Sequence, residues 1–170
     1  MALGSDINAQ FEGSTPVTPV SAAGPWHTVI DAGGMDDTDG GGNPTNPETQ
    51  IDGTDHHDLR RDRKNQGTTV LFSVGYDDGL TGVTSPVIRI FGKFDKDDAN
   101  ERWTMLPDAN GSTDITVTAD ETNDVTDGTL KYTKPISVDG LGFNDFRFGV
   151  KTAIAGTGTV TNAIGQAKLI

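Results

Sequence analysis

Apolar and polar residues alternate in short runs from Thr68 onward, and almost nowhere before it. TTVLFSVGY (68–76) is rich in β-branched and aromatic residues and predicts a strand. PVIRIFGKF (86–94) sets Val87, Arg89, Phe91 and Lys93 on one face and Ile88, Ile90 and Phe94 on the other. ERWTML (101–106) places Trp103 and Met105 opposite Arg102, Thr104 and Leu106, and DITVTA (114–119) places Ile115 and Val117 opposite its threonines. TLKYTKPISV (129–138) contains Pro135, which belongs at an edge or a bulge because it has no N–H for a ladder. NDFRFGVKTAI (144–154) points Phe146, Phe148 and Val150 inward and Arg147 and Lys151 outward, and GTVTNA (158–163) and AKLI (167–170) complete the series. Turn signals lie at 77–79, 108–111, 126–128, 139–142 and 155–158, each supplying Gly or Asn for a tight reversal. This spacing predicts an all-β fold, a β-sandwich or jelly-roll-like barrel of about 7–8 short antiparallel strands. Only residues 95–103 offer even a single helical turn.

Residues 1–66 read differently. Pro16, Pro19, Pro25, Pro44 and Pro47 forbid long helices, and the glycines at 33, 34 and 40–42 weaken strands. The apolar residues Phe11, Val17, Val20, Trp26, Val29, Ile30, Ile51 and Leu59 are too scattered to build a core of their own. They suffice to dock an extended segment onto another surface. The expected division is therefore a long extended N-terminal arm over 1–66 and a β-sandwich domain over 67–170.

Charge sharpens that division. Residues 1–59 carry ten acidic side chains and no Lys or Arg, whereas residues 60–170 hold all 13 basic residues against 15 acidic ones. The net charge of −12 thus belongs mostly to the first third. Such a chain is repelled by phosphate backbones, so nucleic acid is not an expected partner. With no cysteine, a disulfide framework, a thiol nucleophile and a Cys-based zinc site are excluded. The start MALGSDINAQ lacks a basic region and an apolar core, and no run approaches the ~20 apolar residues of a spanning helix. The expectation is a soluble protein made in the cytoplasm, with no membrane partner.

Residues 37–48 come near a calcium loop. Asp37 and Asp39 supply oxygens at the first and third positions, Gly42 falls sixth and Glu48 twelfth. Gly41 offers no oxygen at the fifth position, and Pro44 removes an N–H at the eighth. His56 and His57 would point to opposite faces of a strand and not chelate one ion. DDANE (97–101) and ADETND (119–124) read as solvated turns before they read as calcium ligands. The one basic cluster, Arg60, Arg61, Arg63 and Lys64, follows directly on the acidic arm and can meet an acidic surface. No nucleophile elbow, dinucleotide fingerprint or phosphate loop is present, so an enzyme and a cofactor are not expected.

ERWTMLPDANGSTDITVTAD (101–120) and PISVDGLGFNDFRFGVKTAIAGTGTV (135–160) together resemble the small all-β structural proteins of tailed bacteriophage virions, above all capsid decoration (cement) proteins. The second stretch carries D-G-x-G-F-x-x-F-R-F-x-V, in which aromatic and basic residues alternate after a Gly turn. The resemblance covers roughly residues 68–160. It implies a non-enzymatic protein on the capsid exterior that clamps neighbouring copies of the major capsid protein, often as a homotrimer. The partner-binding set is then Phe11, Val17, Val20, Trp26, Val29, Ile30, Ile51 and Leu59 with Arg60, Arg61, Arg63 and Lys64. A neck, tail or fibre component is a near relation of this reading. A carbohydrate-binding or adhesin-type module with calcium in its turns is the alternative, with Trp26, Trp103, Tyr76 and Tyr132 as stacking residues.

Overall fold

The computed structural model describes residues 26–32, 35, 57–61, 68–158, 160 and 162–170. Its strands, in chain order, are β1 (His27–Ile30), β2 (Leu59–Arg60), β3 (Thr69–Asp77), β4 (Thr81–Thr84), β5 (Val87–Lys93), β6 (Thr104–Leu106) and β7 (Ile115–Thr116). They continue with β8 (Val125–Asp127), β9 (Leu130–Tyr132), β10 (Ile136–Asp139), β11 (Asp145–Thr152), β12 (Ala155–Thr157) and β13 (Ile164–Leu169). The first sheet runs β1-β13-β3-β9-β8, with β10 also on β3; the second runs β2-β11-β5-β6, with β7 also on β5. A small third sheet pairs β12 with β4. All pairings are antiparallel.

The two large sheets pack face to face, as the alternation requires. Val70, Phe72, Val74 and Tyr76 of β3 are buried against Ile88 and Ile90 of β5 and Phe146, Phe148 and Val150 of β11 in one core. At its centre the rings of Phe72 and Phe148 stack with centroids 5.6 Å apart. Tyr76 buries its ring and donates its hydroxyl to Asp124 at 2.7 Å. Burial, then that hydrogen bond, push its phenol well above the ordinary tyrosine range.

The expected sandwich-like, all-β character holds, but the strands number 13 among the described residues, not 7–8. Two of the additions are strands that burial alone does not hold. Val125–Asp127 and Ala155–Thr157 are exposed throughout, and their hold is the backbone ladder to β9 and β4. The latter lies where the sequence predicts a turn. The strand expected over 129–138 is split at Pro135 into β9 and β10, both paired with β3.

The boundary at 66/67 needs correction. β1 pairs β13 at the edge of the first sheet, and β2 pairs β11 at the edge of the second. Val29, Ile30, Met35 and Leu59 are members of the common core. The His57 N–H donates to the Val29 carbonyl at 2.8 Å and ties the two edge segments together. These apolar residues are too sparse to nucleate a core, yet enough to complete one that later residues begin.

Candidate functional site

One end of the sandwich carries an apolar tip. The turn between β10 and β11 is set by Asp139, whose Oδ1 accepts the Leu141 N–H at 2.9 Å. The chain then passes through Leu141 at φ 51 and Gly142 at φ 78. A left-handed backbone at a leucine costs roughly 1–2 kcal/mol. The side chain gains no burial in return, for Leu141 is 53% exposed. Phe143 folds back over Gly92 of β5, so close that a Cβ there would lie 2.4 Å from its Cδ2. Phe94, 54% exposed, packs on Phe143 at 4.6 Å between centroids.

Hydrogen bonds hold this tip rigid. Asn144 Nδ2 donates to the Phe94 carbonyl at 3.0 Å, and the Phe94 and Asp95 N–H groups donate to the Glu101 carboxylate at 2.6 and 2.9 Å. The Arg61 N–H donates to the Asn144 carbonyl at 2.7 Å. Arg60, half-exposed, lies with Nε 3.5 Å from the fully buried Asp145, whose other oxygen accepts the Lys96 N–H at 2.9 Å. Two members of the basic cluster therefore run along the β11 edge, beside Asn144 and Asp145.

Behind the tip, side chains on the second sheet pair off. Arg147 donates twice to Asp58, both bonds at 2.7 Å, and its guanidinium lies 4.5 Å from the Trp103 ring centroid, with Lys93 at 5.7 Å. Asp114 accepts from Lys151 and from Arg89 Nε. Those two bonds, Lys151 first, hold its carboxyl below the usual carboxylate range. Backbone donors, led by Ser112, do the same for Asp108, and the Asn123 side chain leads for Asp120. A carboxyl whose folded pKa is depressed takes up its proton later than in the unfolded chain. Its stabilisation is complete above the ordinary carboxylate value near ~4 and is lost as pH falls through the lower folded values. The melting temperature is expected to stay flat from neutrality to about pH 5 and to fall below ~4, with a shallower fall in Asp114→Asn.

The residues expected from sequence to bind a partner separate into three groups. Val29, Ile30 and Leu59 face the protein's own core and are not available to a partner. Trp26, half-buried, lies beneath Lys168, whose Nζ is 5.0 Å from its ring centroid, on the far side of the molecule's first sheet. Arg60 and Arg61 adjoin the tip. Phe11, Val17, Val20, Ile51, Arg63 and Lys64 lie outside the described residues, as do Asp37, Asp39 and Glu48 of the calcium-like loop. Of the four aromatic stacking candidates, Tyr76 is fully buried and Trp103 is clamped by cations, which leaves Trp26 and Tyr132.

The other acidic runs build turns. Asp98 Oδ1 accepts from the Asn100 N–H, Asp120 from Thr122 and Asn123, and Glu121 from the Val83 N–H. His57 meets Asp31 at 2.7 Å. Among the described residues no three His, Cys, Asp or Glu side chains are grouped to hold a metal ion, and no helix is long and apolar enough to cross a membrane. Phe94, Leu141 and Phe143 were missed as site residues. The signal for Leu141 and Phe143 is DGLGF, which sets a leucine between glycines in a turn, where no strand can bury it. No family model matches the chain, and no curated protein or solved structure matches it either.

Proposed function

We propose that the protein is a non-enzymatic virion structural protein that binds the outside of a phage capsid and stabilises it, with the major capsid protein as partner and a homotrimer as the working form. The observation that carries this reading is the tip. An exposed aromatic ring and an exposed leucine in a left-handed turn stand on an ordered frame, with the half-exposed Arg60 on the strand that flanks it. Protein interfaces concentrate their energy in such aromatic and arginine clusters, and a frame that is already ordered avoids the entropy cost of setting it on binding. Burying an exposed Phe or Leu contributes roughly 1.5–3 kcal/mol. The resemblance of residues 68–160 to decoration proteins supports the same reading. Its finer features, a jelly-roll-like topology and an extended arm drawn from residues 1–66, belong to this proposal, with the arm beginning outside β1 and β2.

Co-sedimentation of the full chain with assembled capsid shells tests it. Leu141→Asp and Phe94→Asp should each weaken binding by about tenfold or more, which corresponds to ~1.4 kcal/mol. Leu141→Gly should separate stability from docking. It relieves the left-handed strain and raises stability by about 1 kcal/mol, yet it weakens binding as Leu141→Asp does. Binding to shells unchanged in all three variants would remove the tip, and with it the reading.

A further inference from the structure

On the face of the first sheet turned away from the core, Pro135 has a second consequence. It breaks the ladder along β3, and Thr133 fills the gap with its side chain. Thr133 Oγ1 accepts the Val74 N–H at 3.0 Å, and Ser73 Oγ donates to the Thr133 carbonyl at 2.8 Å. The break forms the floor of a cleft of about 720 Å³, within the ~300–1,000 Å³ typical of ligand sites. Trp26 and Tyr132 line it, with Gln166 between them and Asp120, Asp127 and Lys134 around it.

We propose that this cleft binds a neutral oligosaccharide. Tyr132 pairs with Gly75, and its ring lies across that bare Cα. Trp26 precedes β1, at the Lys168 end of β13, and Lys168 fixes its ring from one side. Between the two aromatics lie three strand steps and about four residues of register. At ~4.8 Å per strand and ~3.3 Å per residue the aromatics stand on the order of 15–20 Å apart. That is too far to cage one cation, which needs each ring within ~6 Å. It suits an extended ligand that offers a flat, weakly apolar C–H face at each end and hydroxyls between, as a chain of pyranose rings does.

The polar groups fit the same ligand. Ser73, Thr133, Asp120 and Asp124 spend their side chains on the protein's own bonds. The Gln166 amide, the Tyr132 hydroxyl and the Asp127 carboxylate make no side-chain hydrogen bond to the described residues, and together they can donate to and accept from sugar hydroxyls. Asp120, Asp124 and Asp127 outnumber Lys134 and the Lys168 ammonium over Trp26, which leaves the cleft net negative and disfavours uronic acids, sialic acids and phosphates. The cleft shares no lining residue with the tip and does not depend on capsid binding.

The test uses the full chain in the Trp103→Phe background, where Trp26 is the remaining tryptophan of two. Titration with xylo-, cello-, manno- and chito-oligosaccharides should change Trp26 emission for at least one series, and calorimetry should give a matching saturation curve. Tyr132→Ala and Trp26→Ala should each cut the affinity at least about tenfold. Gln166→Ala, between the aromatics, and Asp127→Ala, at the exposed edge, should cut it severalfold with the melting temperature unchanged, so the result stands even if an aromatic variant folds poorly. The proposal is overturned if no neutral series binds, if binding survives the polar and aromatic substitutions, or if an acidic polysaccharide or a basic peptide binds more tightly.

Discussion

Phe148→Ala is expected to destabilise the protein by about 3–5 kcal/mol. Phe148 is 1% exposed and stacks on Phe72 across the interface between the two large sheets. Removing the ring loses its transfer energy and leaves a cavity that two paired sheets cannot collapse into, because each backbone is fixed by its own ladder. Against a total of about 5–15 kcal/mol for a domain, that loss brings the protein close to unfolding. Urea denaturation followed by tryptophan fluorescence gives the value. Met105→Ala, on an exposed side chain, serves as the comparison and should cost less than about 0.5 kcal/mol. A cost at Phe148 as small as that at Met105 would mean that the sheets do not share their core there.

The second large effect is expected at Gly140→Ala, where a single methyl group should cost about 2–4 kcal/mol. A Cβ at Gly140 would lie 2.2 Å from the Thr68 carbonyl oxygen and 2.8 Å from Phe146 Cζ. The nearer atom is backbone, and it already accepts the Gly140 N–H at 2.6 Å. Nothing there can swing aside as a flexible side chain would. The strand β10 must separate from β3 beyond the Asp139–Thr69 pair, or the Phe146 ring must leave its place in the core. Gly79 is the control. Nothing lies within 4 Å of its would-be Cβ, so Gly79→Ala should be neutral or slightly stabilising through the unfolded chain. Equal denaturation midpoints for the two variants would refute the packing argument at Gly140.

Much of the architecture was legible from two-residue alternation. Phe146, Phe148 and Val150 are buried and Arg147 is turned to Asp58, as the pattern on β11 requires. Ile115 and Val117 lie inward together. Pro135 marks a strand break because a residue without an N–H cannot continue a ladder. The pattern misled where a side chain's place depends on what meets it from another sheet. Phe94 has the parity of Ile90, but β5 ends at Lys93, and the ring beyond that end packs on Phe143 and stays half exposed. Of Trp103 and Met105, placed opposite Leu106, neither is buried; Leu106 takes the core. β1 and β2 were illegible for another reason. Four and two residues long, they have no periodicity to read, and their partners β13 and β11 lie far along the chain. The candidate site was visible only as a basic cluster, because DGLGF reveals its exposed leucine only once the turn geometry is known.

The position of β13 bears on biosynthesis. It lies between β1 and β3, and Thr28 and Ser73 both face Gln166 across it. As the chain leaves the ribosome, β1 therefore has no ladder partner until the residues around Gln166 have been translated. Until then its isoleucine and valine lack their place in the core, and one edge of β3 stays open, where strands of other nascent chains can pair with it. A fold with its late segment at this seam should mature in one step after translation, slowly for its size because the closing contacts are distant in sequence.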